Sequence, residues 1–216
     1  MTLTAASFFK LPAVQTEQEN CVAHNGSLIP VPGRDIFVQA WYQGGISIID
    51  FTDAAHPKEI GYFDRGPLAA DKLYNGGQWS SYWYNGHVFG SEIARGLDIL
   101  ELTPTANLSQ NEIDAAKLVQ LDHFNAQLQP KLVWPADFAV ARAYVDQLAR
   151  GQGIARNRAA RIMRDLRGAE KLEGARRQAA LVRLVKALVL HAKAATDTMR
   201  MKALTAVVNE LAGQSR

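Results

Sequence analysis

The chain is short of cysteine, of long hydrophobic runs, of nucleotide-binding signatures and, in its second half, of aromatic rings. Cys21 is the one cysteine in 216 residues, which excludes an intrachain disulfide and a Cys-rich metal site; its thiol reads as a small buried hydrophobe. The first ten residues hold no basic segment followed by an apolar stretch, so no secretory leader is read there and the chain is expected in the cytoplasm. The longest apolar run, residues 181–190, is interrupted by Arg183 and Lys186 and is far too short to span a bilayer. No Gly-x-Ser-x-Gly elbow, phosphate loop or dinucleotide fingerprint occurs, and Gly151-Gln152-Gly153 follows no strand. Nucleophilic and nucleotide chemistry have no support, and no cofactor is expected.

Charge divides the chain. Residues 1–135 hold 8 Lys and Arg against 14 Asp and Glu, a balance of −6, while residues 136–216 hold 16 against 7, a balance of +9. All four tryptophans, Trp41, Trp79, Trp83 and Trp134, precede residue 136, and the tail keeps only Phe138 and Tyr144. Two differently built domains are the simplest reading.

The most informative feature is an internal repeat at an offset of 51 positions. Phe37-Val38 falls on Val88-Phe89, Gly45 on Gly96, and Ile46-Ser47-Ile48-Ile49-Asp50-Phe51-Thr52 on Leu97-Asp98-Ile99-Leu100-Glu101-Leu102-Thr103. A period of about 40–50 residues with a Gly-led apolar strand in each copy is how β-propeller blades read. Apolar runs at 28–31, 36–42, 46–51, 60–63, 78–84, 87–93 and 97–102 alternate with turn signals, among them Asn25-Gly26 and Asn85-Gly86. Residues 46–51 and 97–102 are apolar on both faces in part, as strands covered by neighbouring sheets should be.

From Ser109 the period changes to that of a helix. Ser109-Gln110-Asn111-Glu112 is a capping box ahead of Ile113, Ala116, Leu118, Val119 and Phe124, which predicts a helix ending near Gln129-Pro130. Asp137 can cap the next helix, stopped at Gly151-Gln152-Gly153, and three more amphipathic stretches follow through Ala159 to Leu166, Leu181 to Val189, and Met201 to Leu211. The expected fold is therefore α+β in two parts: about two antiparallel propeller blades over 1–107, a connecting helix and linker over 108–135, and a four-helix bundle over 136–216.

With these residues in view, 21 to about 125 resemble the C-terminal part of a bacterial LVIVD-repeat protein. The resemblance is carried by Gly45-Ile46-Ser47-Ile48-Ile49-Asp50-Phe51-Thr52-Asp53 with His56-Pro57, and by Gly96-Leu97-Asp98-Ile99-Leu100-Glu101-Leu102-Thr103-Pro104. Cys21-Val22-Ala23-His24-Asn25-Gly26 and Ser109-Gln110-Asn111-Glu112-Ile113 are also similar to family segments. It implies a β-propeller without one agreed activity, in a family whose members are often exported. The tail from Ala136 is weakly similar to the FIMAH helical module of some secreted bacterial proteins. A propeller ring needs at least about four blades, so the expectation is a fragment of a longer gene, cell-surface or secreted if its parent is exported.

Candidate sites follow from position within the repeat. Glu92, Arg95 and Asp98 stand where the first copy has Trp41, Gly44 and Ser47, and charges there mark either a ligand surface at a channel mouth or an ion pair closing a hairpin. Trp41 and Trp83, with Tyr42, Trp79, Tyr82 and Tyr84, suit stacking on a sugar or peptide, or else sheet packing. The five histidines show no metal-ligand spacing; His24, beside Cys21, is the best candidate metal ligand, the alternative being a turn residue. Arg158, Arg161 and Arg164 form a basic stripe for polyanions, or a solvated face. The expected function is a non-catalytic binding or scaffold module whose partner is a protein or the rest of its propeller, without specific nucleic-acid recognition. The alternative is a metal-dependent enzyme completed by further blades.

Overall fold

The computed structural model describes residues 2–128 and 131–214, which build an α+β structure of two antiparallel sheets and five α-helices. Strands β1 (Gly26–Ile29), β2 (Ile36–Ala40), β3 (Ile46–Asp50) and β4 (Lys58–Phe63) pair in the order β1-β2-β3-β4. Strands β5 (Gln78–Tyr84), β6 (His87–Glu92) and β7 (Gly96–Leu100) pair as β5-β6-β7. The helices are α1 (Gln110–Lys117), α2 (Phe138–Arg150), α3 (Arg156–Glu170), α4 (Gly174–Ala192) and α5 (Thr198–Gln214).

Both sheets turn where the sequence places positive-φ residues. Asn85 (φ 45°) and Gly86 (φ 98°) close the β5-β6 hairpin between the paired Tyr84 and His87. Gly45 (φ 76°) and Gly96 (φ 94°) open β3 and β7 in matching left-handed conformations, as their alignment in the repeat predicts. Asn25-Gly26 departs from expectation: it makes no hairpin, because Gly26 opens β1 opposite Gln39, where a Cβ would stand 2.1 Å from the Val38 carbonyl oxygen.

The two sheets stack in one sense. Ser27, Val38, Ile48 and Gly61 share one cross-strand row, and Ala40, Ile46 and Phe63 the next, so all lie on one face of the first sheet. That face meets Trp83, Val88, Gly90 and Leu100: the Trp83 backbone N–H donates to Ser27 Oγ at 2.9 Å, and a Cβ on Gly90 would lie 3.3 Å from Ile46 Cδ1. A cavity of about 510 Å³ remains between Ile46, Ile48, Ile60 and Phe63 on one side and Val88 and Leu100 on the other. Under the 51-residue offset the equivalents of Ile46 and Ile48 are Leu97 and Ile99. Strand alternation turns these two away from the first sheet, because Leu100 faces it. The sheets are thus related head to tail, each able to offer the same face onward.

The second sheet stops one strand early. The offset equivalent of β4 is residues 109–114, which open α1 instead, so β7 is an edge strand. This corrects the expectation that both Gly-led strands are covered. β3 is buried along its whole length, whereas Leu97 and Ile99 are 62 % and 58 % exposed, since no third sheet among the described residues lies over them.

The described chain divides into two compact units, and residues 108–135 are shared between them rather than forming one connector: Ser109–Leu118 belongs with the helices and Val119–Leu132 with the sheets. The capping box forms, Glu112 N–H donating to Ser109 Oγ at 3.2 Å and Ser109 N–H to Glu112 Oε2 at 2.7 Å. The helix ends at Lys117, well before the expected end at Gln129-Pro130, which lies outside the described residues. The chain is then held open by Asn85, whose amide donates to the Leu121 carbonyl at 3.0 Å and accepts from Leu121 N–H at 2.8 Å. These two bonds, with Tyr84 Oη donating to the Asp122 carbonyl at 3.0 Å, replace the helical ladder.

In the helical unit Asp137 caps α2 as expected, its carboxylate accepting from Ala139 N–H at 2.7 Å. Val145, Leu148, Ile162, Leu166, Leu181, Leu188, Met201 and Leu204 interdigitate in one core. Small residues, Ala115 on α1 and Ala139, Val140 and Ala143 on α2, let those two helices approach closely. Their contact is polar as well as apolar: fully buried Glu112 receives both arms of Arg150, at 2.6 and 2.9 Å. Asn111 bridges Arg142 and Asp146 at 3.0 and 2.7 Å. No helix among the described residues is long and apolar enough to cross a membrane.

Candidate functional site

The repeat singles out Glu92, Arg95 and Asp98, and the fold gathers them around the strand ends where the two sheets meet. β6 ends at Glu92, the following turn carries Arg95, and Asp98 sits in β7 on the side facing the first sheet. Two residues outside the sequence reading complete the cluster. Arg65, in the turn after β4, forms a two-pronged pair with Asp98 at 2.7 and 2.8 Å while its guanidinium lies 4.8 Å from the Phe63 ring centroid. Gln78, the first residue of β5, donates to Asp98 Oδ2 at 2.6 Å. Neither residue has a repeat equivalent that flags it, and only the charge of Arg65 against the acidic first half offered a signal.

Glu92 is buried, and its Oε1 accepts from the Gly77 backbone N–H at 2.5 Å, with Arg95 Nη1 farther off at 3.8 Å. Glu92 Oε2 and Gln78 Oε1 are buried without a hydrogen-bond partner among the described residues. The hydrogen bonds from Arg65, working against burial and aided by Gln78, hold the Asp98 carboxyl below the ordinary carboxylate range, and Arg65 is raised in turn by Asp98. The cavity touching Glu92, Gln78 and Arg95 measures about 10 Å³. That is room for about one water molecule and for no substrate. The cluster therefore acts chemically as an ion-pair and hydrogen-bond clasp from the first sheet to the second.

Trp41 and Trp83 lie in the interior, their indole N–H groups without a hydrogen-bond partner among the described residues. Phe9 packs on Trp41 with ring centroids 6.0 Å apart. Buried rings of this kind fill the space between strands and present no open stacking platform. The exposed aromatic group is a different one: Trp79, half-exposed, with His24 at 4.3 Å and Tyr42 at 5.8 Å between ring centroids.

His24 is placed by that ring cluster, with Tyr42 5.0 Å away edge-on, and by its own backbone N–H donating to the Ala40 carbonyl at 2.8 Å. Among the described residues no three His, Cys, Asp or Glu side chains gather as metal ligands. Cys21 packs against Gly44, and burial, then the nearby Glu19 and Asp64, pushes its thiol up to about 11, so it stays protonated at neutral pH.

On α3, Arg161 and Arg164 are exposed and Arg158 half-buried, opposite the buried Ala159, Ile162 and Leu166. Burial, then the approach of Arg158 and Arg161, holds His191 of α4 below its ordinary value. Arg164, Arg167 and Lys171 flank a shallow groove of about 450 Å³ over Ala160, Met163 and Gly168, with no ring to stack on a base.

No protein-family model, curated protein or solved structure matches the chain.

Proposed function

We propose that residues 26–103 are two neighbouring blades of an LVIVD-type β-propeller stack and that the chain serves as a non-catalytic binding or scaffold module for a protein partner. The observation that carries this reading is the head-to-tail relation of the sheets: Ile46 approaches Gly90 of the second sheet and Ile48 faces that sheet across the cavity, while their repeat equivalents Leu97 and Ile99 face solvent. A sheet that exposes such residues beside an unpaired edge strand is built to receive another protein surface. The polar clasp of Arg65, Gln78, Glu92 and Asp98 supports a structural role for Glu92 and Asp98, because it fixes blade against blade and leaves no substrate volume. In this reading the remaining blades are supplied by other polypeptide.

The basic face of α3 supports a second, electrostatic role. Arg158, Arg161 and Arg164 have no carboxylate within ion-pair distance among the described residues, so the helical unit attracts polyanions without reading a base sequence. Metal analysis of the purified chain separates the scaffold from the rival enzyme: the scaffold carries no stoichiometric transition metal, and one equivalent per chain points to metal-dependent chemistry instead.

A further inference from the structure

We infer that the second sheet takes its missing fourth strand from another polypeptide: an extended segment that pairs with the free edge of β7, points apolar side chains into the cavity between the sheets and carries a cation opposite Glu101. The inference rests on the blade reading above and names the kind of partner that completes the second blade.

The cavity marks the place. Its lining comes from β3 and β4 of the first sheet, from Val88 and Leu100 of the second, and from the chain beyond β7, while no residue of β1, β2 or β5 lines it. The inner strands meet directly, the Trp83 N–H of β5 donating to Ser27 Oγ of β1 at 2.9 Å. The stack is thus packed at its inner strands and hollow at its outer ones, where the second sheet is one strand short. A cavity of about 150 Å³ holds a benzene ring. The volume here, about 510 Å³, takes roughly two or three apolar side chains, as alternate residues of one strand supply.

The backbone on offer is a strand edge. Among the described residues β7 pairs with β6 alone, so one row of its N–H and C=O groups has no ladder partner, and an extended chain is what satisfies such a row. The first sheet shows the form that chain takes. There β4 runs antiparallel to β3, with Gly61 opposite Ile48 and Lys58 opposite Asp50. Under the 51-residue offset Asp50 becomes Glu101, exposed and approached by His87 at 3.1 Å, so a cation in the added strand suits the same place.

The chain's own neighbouring segments are engaged elsewhere. After β7 it returns to the first sheet, Thr105 Oγ1 donating to the Ile60 carbonyl at 3.4 Å and Arg34 to the Asn107 carbonyl at 2.8 Å, before the capping box opens α1. The segment ahead of β1 packs on Trp41 and Gly44 through Phe9 and Leu11.

The test uses the full chain and a synthetic peptide of residues 57–64 with capped ends, the segment that fills this place in the first sheet. Isothermal titration should give saturable binding of one peptide per chain, and amide exchange at β7 should slow when it binds. A peptide of the same composition in scrambled order should bind at least about tenfold more weakly. Gly61→Leu in the chain places a side chain from the Ile48 row into the cavity and should weaken binding about tenfold without lowering the melting midpoint. Glu101→Lys should weaken it about threefold, and Lys58→Glu in the peptide should recover that loss. Methylating one alternate set of peptide amides should abolish binding and methylating the other should leave it intact. No binding, equal binding of the scrambled peptide, or tolerance of both methylated sets overturns the inference. If nothing binds while the outward amides of β7 exchange freely, the added strand is wrong and the blade reading stands. If β7 in the chain alone is as protected as β3, the blade reading falls with it.

Discussion

Replacing Arg150 by Met probes the contact that fastens α1 to the helical unit. Glu112 is fully buried, and Arg150 supplies two of its hydrogen bonds, at 2.6 and 2.9 Å, while Ser109 N–H supplies a third at 2.7 Å. Met keeps the apolar stem and removes the fork, so a buried carboxylate loses both of those bonds. Breaking a buried pair from one side costs about 3–5 kcal/mol, and the partial exposure of Arg150 argues for the lower end, about 3 kcal/mol. For a unit of this size that lowers the melting midpoint by roughly 15 °C. Adding Glu112→Gln to Arg150→Met should recover part of the loss, giving a coupling that a double-mutant cycle measures. Urea unfolding followed by far-UV circular dichroism is the assay. A deficit under about 1 kcal/mol, or no recovery with Glu112→Gln, would refute the claim that this pair is a desolvated clamp.

The other expectations are more local. Gly45→Ala should destabilise the sheet unit by at least about 3 kcal/mol, since its Cβ would stand 2.1 Å from the Phe63 carbonyl oxygen; Gly96→Ala, at the matching φ but in open space, should cost about 1 kcal/mol, and paired thermal melts compare them. Asp98→Asn should cost about 1 kcal/mol, because Arg65 is partly exposed. Its folded-state value is depressed, so the wild-type advantage is present above the unfolded pKa of about 3.9 and disappears as pH falls through the folded one, which urea midpoints against pH will show. Replacing Arg158, Arg161 and Arg164 by Gln should weaken a salt-sensitive, sequence-blind retention on DNA columns without altering the helical signal; tight binding to one sequence at physiological salt would contradict the electrostatic account.

Much of the fold was legible because the decisive signals are local. Asn85-Gly86 and the aligned Gly45 and Gly96 fix backbone conformation through their own sterics, and Ser109-x-x-Glu112 satisfies its helix start with its own side chains. The apolar stripes through Leu148, Ile162, Leu184 and Leu204 likewise needed only helical spacing. What stayed hidden depends on distant partners. The early end of α1 follows from Asn85 binding Leu121, 36 positions away, which no window over 109–129 contains. The exposure of Leu97 and Ile99 depends on whether a third sheet is present, and the residues themselves match the buried Ile46 and Ile48. At the candidate site Glu92 and Asp98 were visible as charges in apolar or small repeat positions, whereas Arg65 and Gln78 enter only through the stacking of the sheets.

The claim that most needs testing is that β3 and β7 are the same strand in two neighbouring blades, one enclosed and one at an open edge. Residue-resolved amide hydrogen exchange of the full chain measures this directly. β3 pairs with β2 and β4, so the amides of Ile46–Asp50 should all exchange slowly; β7 pairs with β6 alone, so alternate amides of Gly96–Leu100 should exchange far faster than their repeat equivalents. Equal protection along both strands, or rapid exchange throughout β3, would contradict it.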